Sequence, residues 1–384
     1  MKALSLFANI GIAETYLAEL GIEVVIANEL LEKRAKFYTH LYPSCDMVNG
    51  DITNKETFDT IIRKAKEQKI DIILATPPCQ GMSIAGDMNP YDERNSLIKY
   101  AIDAIDILNP KYVFLENVAQ QLVTPIQYQN AEILIPEYIN RRLASKYQIN
   151  MGKIINTADY GIPQIRKRAI ILMSRKGYSY WDFPEPENHI ITLEEAFEGI
   201  PDLFPEIKEP EYQNILPNNS PSALNFHKWH KPPKHVWRNV ECMLYTPTGN
   251  TAFDNKFYYP KKKDGKKVKG YDTTYHRMFW SKPAPTVTMY NGIMGSQNNV
   301  HPGRPWKKDN NGDQMYTNPR VLTIYELLIV SSLPQNWNIP SWAPDILIRH
   351  SIGEGIPPML VKKIFMQLLK MEENTNERRK TESI

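Results

Sequence analysis

The sequence predicts an α/β protein built on a doubly wound parallel sheet, with a second, smaller, irregular and β-rich domain. Across the first 175 residues, short apolar runs typical of strands alternate with longer amphipathic runs typical of helices, a rhythm that favours parallel strands joined by helices. After about residue 180, Pro, Asn, Trp and Tyr become dense and the helical periodicity fades. We therefore expect a sheet domain over residues 1–185, the irregular domain over 186–340, and a helical segment over 341–384 that returns to the sheet.

Five apolar runs supply the predicted strands, and the stretches between them supply the helices. The strands are expected at Ala3–Phe7, Val24–Ala27, Asp71–Ala75, Lys111–Val118 and Ala169–Ser174. The helices are expected at Phe58–Gln68, Asn95–Leu108, Thr323–Ser332 and Pro357–Glu372. The tail Glu372–Ile384 is polar and has nothing to bury, so we expect it to be frayed or disordered.

Composition limits the class of protein. No run of about 18 or more apolar residues exists and no targeting segment precedes the first strand, so we expect a cytoplasmic protein that does not enter a membrane. The three cysteines, Cys45, Cys79 and Cys242, are too scattered for a disulfide framework or a zinc site, which predicts free thiols and no metal. The net charge of +3 does not by itself indicate a polyanionic partner, because binding to nucleic acid depends on how charge is clustered.

Residues after the first strands predict a nucleoside cofactor, because ligands of open parallel sheets bind at the carboxyl ends of the strands. Phe7-Ala8-Asn9-Ile10-Gly11 forms a turn into a helix, and Glu29 follows Gly11 by eighteen residues, the usual place for an acid that holds ribose hydroxyls. The turn lacks the full GxGxxG, which favours a cofactor without a pyrophosphate, such as S-adenosylmethionine. Asp51 could accept from an adenine amino group. Alternatively, Glu29 is a charge at a helix start and Asp51 a turn residue.

Three further segments predict a reactive site. Ala75–Ser83 places Cys79 after a strand, between two prolines and Gly81, so the thiol would be presented at the sheet edge; the alternative is a small buried structural cysteine. Glu116 ends an apolar strand, where partial desolvation would let it carry a proton near neutral pH. Gln164, Arg166 and Arg168 alternate along the next strand and would share one face. The alternative for the arginines is a solvated edge strand.

Taken in order, these motifs resemble those of the DNA cytosine-5 methyltransferase family, and the resemblance covers nearly the whole chain. The nucleophile segment Pro78-Cys79-Gln80, the segment Glu116-Asn117-Val118 and the pattern Gln164-x-Arg166-x-Arg168 are complete. Weaker matches are Phe7–Gly11, Glu29, Asp51, Asp92–Leu97, Arg320–Thr323 and Gly353–Pro358. Departures are Asn9 in place of a glycine, Leu333 in place of a phenylalanine and Glu354 in place of an asparagine that usually contacts the cofactor.

The resemblance implies a Rossmann-like S-adenosylmethionine-dependent enzyme that methylates carbon 5 of cytosine in a specific double-stranded DNA sequence. Cys79 would attack carbon 6, Glu116 would protonate or hydrogen-bond N3 and the 4-amino group, and Arg168 would bind O2. Arg166 would steady the Cys79 loop. The implied cofactor contacts are Phe7, Ala8, Ile10, Gly11, Glu29, Asp51, Ile52, Pro78, Leu97 and Glu354. The cytosine must leave the duplex stack, and Gln80, Ser83 and Gln164 are the expected DNA contacts nearby.

The irregular domain carries the charge expected of a DNA-reading region. Phe257–Lys269 predicts a hairpin with an Asp-Gly turn and lysines at its tip, of which Lys262 and Lys266 are the candidate phosphate contacts; the alternative is a solvated surface hairpin. Arg277 is the candidate for reading a guanine, although it could equally contact phosphate. The histidines of His227–His235 lack the acid or cysteine that would complete a metal site.

Other functions fit part of the sequence. A tRNA cytosine-5 methyltransferase would share the motifs, and an inactive sequence-specific DNA-binding protein would fit the departures at Asn9 and Glu354. A nicotinamide-dependent dehydrogenase would explain the fold and Glu29 but not Cys79, and zinc-dependent deamination would need a second cysteine three residues after Cys79. The family implies a monomeric modification enzyme paired with a cognate restriction endonuclease.

Overall fold

The central feature of the computed structural model, which describes residues 1–78 and 93–382, is a seven-stranded mixed sheet in the order β3-β2-β1-β4-β5-β9-β8. A separate hairpin pairs β6 with β7. The strands are β1 (Lys2–Leu6), β2 (Glu23–Glu29), β3 (Asp46–Asn49), β4 (Ile72–Ala75), β5 (Tyr112–Val118), β6 (Pro125–Tyr128), β7 (Ala131–Leu134), β8 (Tyr147–Asn156) and β9 (Lys167–Arg175). All five predicted strands are confirmed, with ends shifted by two residues or fewer.

Helices cover both faces of this sheet and create two apolar layers. Helix α1 (Glu32–Leu41) packs beside β2 and β3, whereas α2 (Lys55–Gln68), α3 (Ile98–Leu108) and α4 (Ile135–Leu143) cover one face of the sheet. The C-terminal helix covers the other face. Helix α2 begins after Asn54, whose side chain accepts hydrogen bonds from the amides of Glu56 and Thr57. Buried on both faces, β4 reads as a continuous apolar run, as parallel strands between two helical layers do.

Two expectations are wrong, and the edge strand β8 is missing from the prediction. The sheet is not wholly parallel, because β9 runs antiparallel to both β5 and β8. Strand β8 is absent from the prediction because its edge position leaves most of its side chains exposed or half-buried, which removes the apolar pattern. The cofactor turn also does not lead into an α-helix: it continues through turns to a short 3₁₀-helix at Ala18–Leu20.

The region after residue 185 contains few regular elements and its own apolar cluster. Its helices are α5 (Leu193–Ala196), α6 (Pro221–Leu224) and α7 (Trp237–Leu244), and its strands are β10 (Glu206–Ile207), β11 (Lys234–His235), β12 (Pro305–Lys308) and β13 (Gln314–Tyr316). Irregular structure is confirmed, but the strands are shorter than a β-rich domain implies. A buried cluster from Ile207 to Val321 is separate from the sheet layers. The boundaries at residues 185 and 340 stay predictions.

Three helices follow the irregular region: α8 (Ile324–Val330), α9 (Asp345–Glu354) and α10 (Pro358–Glu382). Helix α10 returns to the sheet, whereas α8 and α9 pack in a separate apolar cluster with Ile10 and Phe37. Helix α8 begins at a capping box formed by Thr323 and Glu326. The apolar face of α10 packs against the sheet through Leu360, Ile364 and Phe365. The helix continues to Glu382, so the expectation of no ordered structure after Glu372 is wrong. No helix in the described ranges is long and apolar enough to span a membrane.

Candidate active site

The carboxyl ends of the inner strands meet at one edge of the sheet. Leu6 at the end of β1 pairs with Asn28 of β2 on one side and with Ala75 of β4 on the other, and Ala75 pairs with Leu115 of β5. The segments that follow these strands are therefore neighbours, as the sequence predicts. The turn after β1, the carboxylate of Glu29 and the carboxylate of Glu116 all lie along this edge.

The turn after β1 is held in a conformation that few residues adopt. Phe7, Asn9 and Gly11 have positive φ angles of 59°, 52° and 85°. The amide of Ala8 donates to the carbonyl of Asn28 at 2.9 Å, which ties the turn to β2. A Cβ at Gly11 would lie 2.2 Å from the ring of Tyr42, whose hydroxyl donates to the Gly11 carbonyl at 2.6 Å. Both the backbone and the packing therefore require glycine at this position.

Glu29 connects the cofactor turn to the start of helix α1. It is the last residue of β2, only 6% exposed, and its two carboxylate oxygens accept hydrogen bonds from the amides of Asn9 and Leu31, each at 2.9 Å. Burial raises the pKa of Glu29, although these amides and Arg34 lower it. Each oxygen keeps a lone pair, so the carboxylate can still accept from a ligand hydroxyl. Glu29 therefore lies at the end of a strand and also next to the start of a helix, so its position fits both interpretations of the sequence.

Asp51 and Ile52 occupy different environments despite their adjacency. Asp51 is exposed, and one of its oxygens accepts from the amide and the hydroxyl of Thr53, both at 2.8 Å. This is the behaviour of a turn residue. Ile52 is 3% exposed and packs in the sheet core.

Cys79, Gln80 and Ser83 lie outside the described residues. The segment that leads to them forms hydrogen bonds with the turn after β1 and with β5. The hydroxyl of Thr76 donates to the carbonyl of Phe7 at 3.0 Å. The side chain of Asn117 donates to the carbonyl of Pro77 at 3.1 Å. Pro78 is half-buried next to this anchor. The chain that leads to Cys79 is thus attached to the cofactor turn and to the strand that carries Glu116. The prediction for Cys79 itself stays untested.

Glu116 and Arg168 form a buried ion pair on neighbouring antiparallel strands. The Nε of Arg168 lies 2.8 Å from Oε1 of Glu116, and their side chains are 11% and 9% exposed. Burial raises the pKa of Glu116, although the charges of Arg168 and Arg166 lower it. The site therefore holds a carboxyl that can carry a proton at higher pH than a free glutamate, beside a fixed cation.

Gln164 and Arg166 connect segments instead of facing an open site. Strand β9 begins at Lys167, so these two residues precede it, and both are 1% exposed. Gln164 donates to the carbonyl of Val330 at 3.1 Å and accepts from the amide of Val287 at 3.2 Å, so its expected role in DNA contact is wrong. Arg166 donates to the carbonyls of Val287, Gly353 and Glu354 at 2.8–3.1 Å.

Glu354 and Leu97 lie near the ends of helices around the site. Glu354 ends α9, and its carboxylate forms an ion pair of 2.7 Å with Arg34 of α1. Leu97 is the last residue of a 3₁₀-helix that leads into α3 and is half-buried. Sequence reasoning missed Arg34 because nothing in its local sequence marks it: only the fold brings it to a residue 320 positions away.

Arg277 is buried in the irregular region, which corrects its expected role in reading DNA. It is 0% exposed, and its guanidinium donates to the carbonyls of Met243, His301 and Asn318 at 2.8–3.3 Å. Burial lowers its pKa to about 9. A guanidinium committed to backbone in this way cannot reach a base.

The lysine-rich segment forms the predicted turn on the surface. Lys261 and Lys267 pair as an antiparallel bridge, and the amide of Lys262 donates to the carbonyl of Lys266 at 2.8 Å. Lys262 and Lys266 are exposed. Within the described ranges, no group of three or more His, Cys, Asp or Glu side chains could hold a metal ion.

Comparison with known proteins places this site in context. The family model for C-5 cytosine-specific DNA methylases matches residues 1–370. The chain is 40% identical to the Type II methyltransferase M1.HgaI of Avibacterium volantium, over 96% of this chain and 98% of that protein. It is 26% identical to the Type II methyltransferase M1.HphI of Haemophilus parahaemolyticus, over 97% and 87%. The solved structure of the Entamoeba histolytica methyltransferase EhMeth shares the fold, with a TM-score of 0.60, 15% identity and coverage of 96% and 98%.

Proposed function

The chain belongs to the C-5 cytosine-specific DNA methylase family and is a DNA cytosine-5 methyltransferase, and from that premise we propose the roles of its residues. Its relatives are named Type II methyltransferases, so the chain is a modification methyltransferase of the restriction-modification class. We infer that it methylates cytosine within a specific duplex sequence through a covalent Cys79 adduct. The observation that carries this proposal is the buried pair of Glu116 and Arg168, next to the segment that leads to Cys79.

The residues at the strand edge fit S-adenosylmethionine, the cofactor that the family implies. Glu29 offers carboxylate lone pairs for ribose hydroxyls, and Asp51 offers an exposed oxygen for an adenine amino group. The Oδ1 of Asn9 is buried and accepts no hydrogen bond among the described residues, so it is free to accept from a bound ligand. The remaining members of the proposed contact set are Phe7, Ala8, Ile10, Gly11, Ile52, Pro78, Leu97 and Glu354. Bound there, S-adenosylmethionine supplies an electrophilic methyl group.

Carbon 5 of cytosine is a weak nucleophile, and the proposed role of this chain is to activate it. The thiolate of Cys79 adds to carbon 6, which makes carbon 5 enamine-like. Glu116 donates a proton or hydrogen bond to N3, and Arg168 binds O2, so negative charge that enters the ring is neutralised as it forms. Carbon 5 then gains the methyl group, a water molecule takes the carbon 5 proton, and the Cys79 thiolate departs, which restores the aromatic ring. Since carbon 6 is stacked inside the duplex, the base must first be rotated out.

The lysine-rich turn is the proposed contact for DNA phosphates. Residues 257–269 contain six lysines and one aspartate, a net charge of +5, whereas the whole chain carries +3. The remainder of the protein is therefore net negative, and this turn concentrates the positive charge. The turn is fixed at its base, where Tyr245 and Tyr258 stack at 3.5 Å and both donate to Asp309, at 3.0 and 3.5 Å. A rigid cationic turn of this kind suits phosphate binding.

Methyl transfer from labelled S-adenosylmethionine tests the function. The protein is incubated with duplex DNA or with tRNA, and 5-methylcytosine is located by bisulfite sequencing. We expect label on DNA, at one position within a fixed sequence context. Label on tRNA alone would support a tRNA methyltransferase instead, and no label on either would support a DNA-binding protein without activity.

A further inference from the structure

The two departures from the family pattern around the cofactor, Asn9 and Glu354, meet at the same place in the fold. The side chain of Asn9 donates to the carbonyl of Ser351 at 3.1 Å, and Glu354 pairs with Arg34 at 2.7 Å. Both contacts end on the last turn of α9, which spans Asp345–Glu354. The C-terminal end of α9 is therefore tied to the cofactor turn at one point and to helix α1 at a second.

The ion pair between Arg34 and Glu354 lies near a third charge, the carboxylate of Glu29. Arg34 and Glu354 have side chains 15% and 26% exposed, so water screens their pair only in part. Glu29 lies within electrostatic range of both: Arg34 lowers its pKa and Glu354 raises it. Without the arginine, the two carboxylates would repel each other.

The asparagine that the family usually carries at position 354 is neutral and would need no such partner. A glutamate at the same position introduces a negative charge next to Glu29, and Arg34 is placed on α1 where it neutralises that charge. Arg34 lies in the first turn of α1, four residues after the exposed Leu30. Its amide donates to the carbonyl of Leu31, and the amide of Leu31 donates to Glu29. The acid at position 354 and the arginine at position 34 thus act as one unit.

We propose that Arg34 is a positioning residue for cofactor binding, which holds Glu354 and the end of α9 against the cofactor turn and offsets the charge of Glu354 next to Glu29. This inference rests on the proposed function, because it assumes that Glu29 faces the cofactor ribose. It concerns affinity for the cofactor and assigns Arg34 no contact with the reacting atoms.

Calorimetric binding of S-adenosylhomocysteine to the full chain tests the proposal without activity as the readout. Arg34→Gln should weaken binding about tenfold, because it leaves Glu354 uncompensated. Glu354→Gln should change binding by about threefold or less, and the double variant Arg34→Gln/Glu354→Gln should recover to a similar level, since the repelling charge is gone. Arg34→Lys, which keeps the charge, should bind within about threefold of the wild type.

A matched control is Arg63→Gln, which breaks the exposed ion pair between Arg63 and Glu67 on α2 and should leave binding unchanged. Urea unfolding of each variant establishes that folded proteins are compared. The proposal is overturned if Arg34→Gln binds like the Arg63 control, or if the double variant loses the product of both single effects. A wild-type protein that binds no S-adenosylhomocysteine would contradict the proposed function instead, and this outcome is separate from those two.

Discussion

Replacing Arg277 with alanine separates a structural role from a role in reading DNA. The change removes four hydrogen bonds of 2.8–3.3 Å from a charged donor, and such bonds contribute about 1.5–3 kcal/mol each. The carbonyls of Met243 and Asn318 keep backbone donors from Thr246 and Arg320, whereas the His301 carbonyl loses the guanidinium in a buried site, which costs about 1–3 kcal/mol. Part of that loss is offset, because burial disfavours the charged guanidinium and lowers its pKa to about 9. We therefore expect a decrease of about 3 kcal/mol or more in the free energy of unfolding.

The assay is urea unfolding of the free protein, with Arg304→Ala as the control. Arg304 lies in the same region, but its side chain is 50% exposed and pairs with Glu194 on the surface, so we expect a loss below about 1 kcal/mol. A contact to a base would instead be worth about 1–3 kcal/mol in DNA binding and nothing in unfolding. The reasoning is refuted if Arg277→Ala unfolds like the wild type but methylates a relaxed set of sequences.

Three further predictions test the site and the DNA surface. Burial raises the pKa of Glu116, so its protonated form is lost as pH rises through that pKa; single-turnover methyl transfer should fall over the same range, and Glu116→Gln should remove this dependence and slow transfer about 100-fold or more. Lys262→Ala and Lys266→Ala should each reduce the slope of log Kd for DNA against log salt concentration by roughly one. A steeper or unchanged slope would contradict phosphate contact. Gly11→Ala should abolish S-adenosylhomocysteine binding. Gly177→Ala should not, because Gly177 also has a positive φ but a new Cβ there would have no atom of the described residues within 4 Å.

The parts of the fold that the sequence predicts are those with a local signal. Strand β4 is a continuous apolar run, β5 begins with the apolar run Tyr112–Leu115, and α8 begins at a Thr–Glu capping box, so each can be recognised without the rest of the chain. Strand β8 carries no such signal, because an edge strand with polar side chains on both sides resembles a loop. The antiparallel edge of the sheet therefore requires the structure.

The candidate site also has features that the sequence predicts and features that only the structure shows. The order of strand ends predicts that the cofactor turn, Glu29 and Glu116 converge, because parallel strands bring their carboxyl ends to one edge. The burial of individual polar side chains, in contrast, cannot be predicted from the sequence. Arg277 and Gln164 occur in polar or basic sequence, and only the packing of distant carbonyls around them reveals that they are structural. The pairing of Arg34 with Glu354 depends on contacts between the two ends of the chain.

Covalent trapping tests the central claim, that Cys79 is the nucleophile of a DNA cytosine-5 methyltransferase. The protein is incubated with S-adenosylmethionine and duplex DNA that contains 5-fluorocytosine, in which the fluorine cannot leave as the proton does, so the adduct persists. We predict a denaturant-resistant protein–DNA complex for the wild type. Cys79→Ser should bind the same DNA and form no such complex, and a trapped complex with that variant would contradict the account.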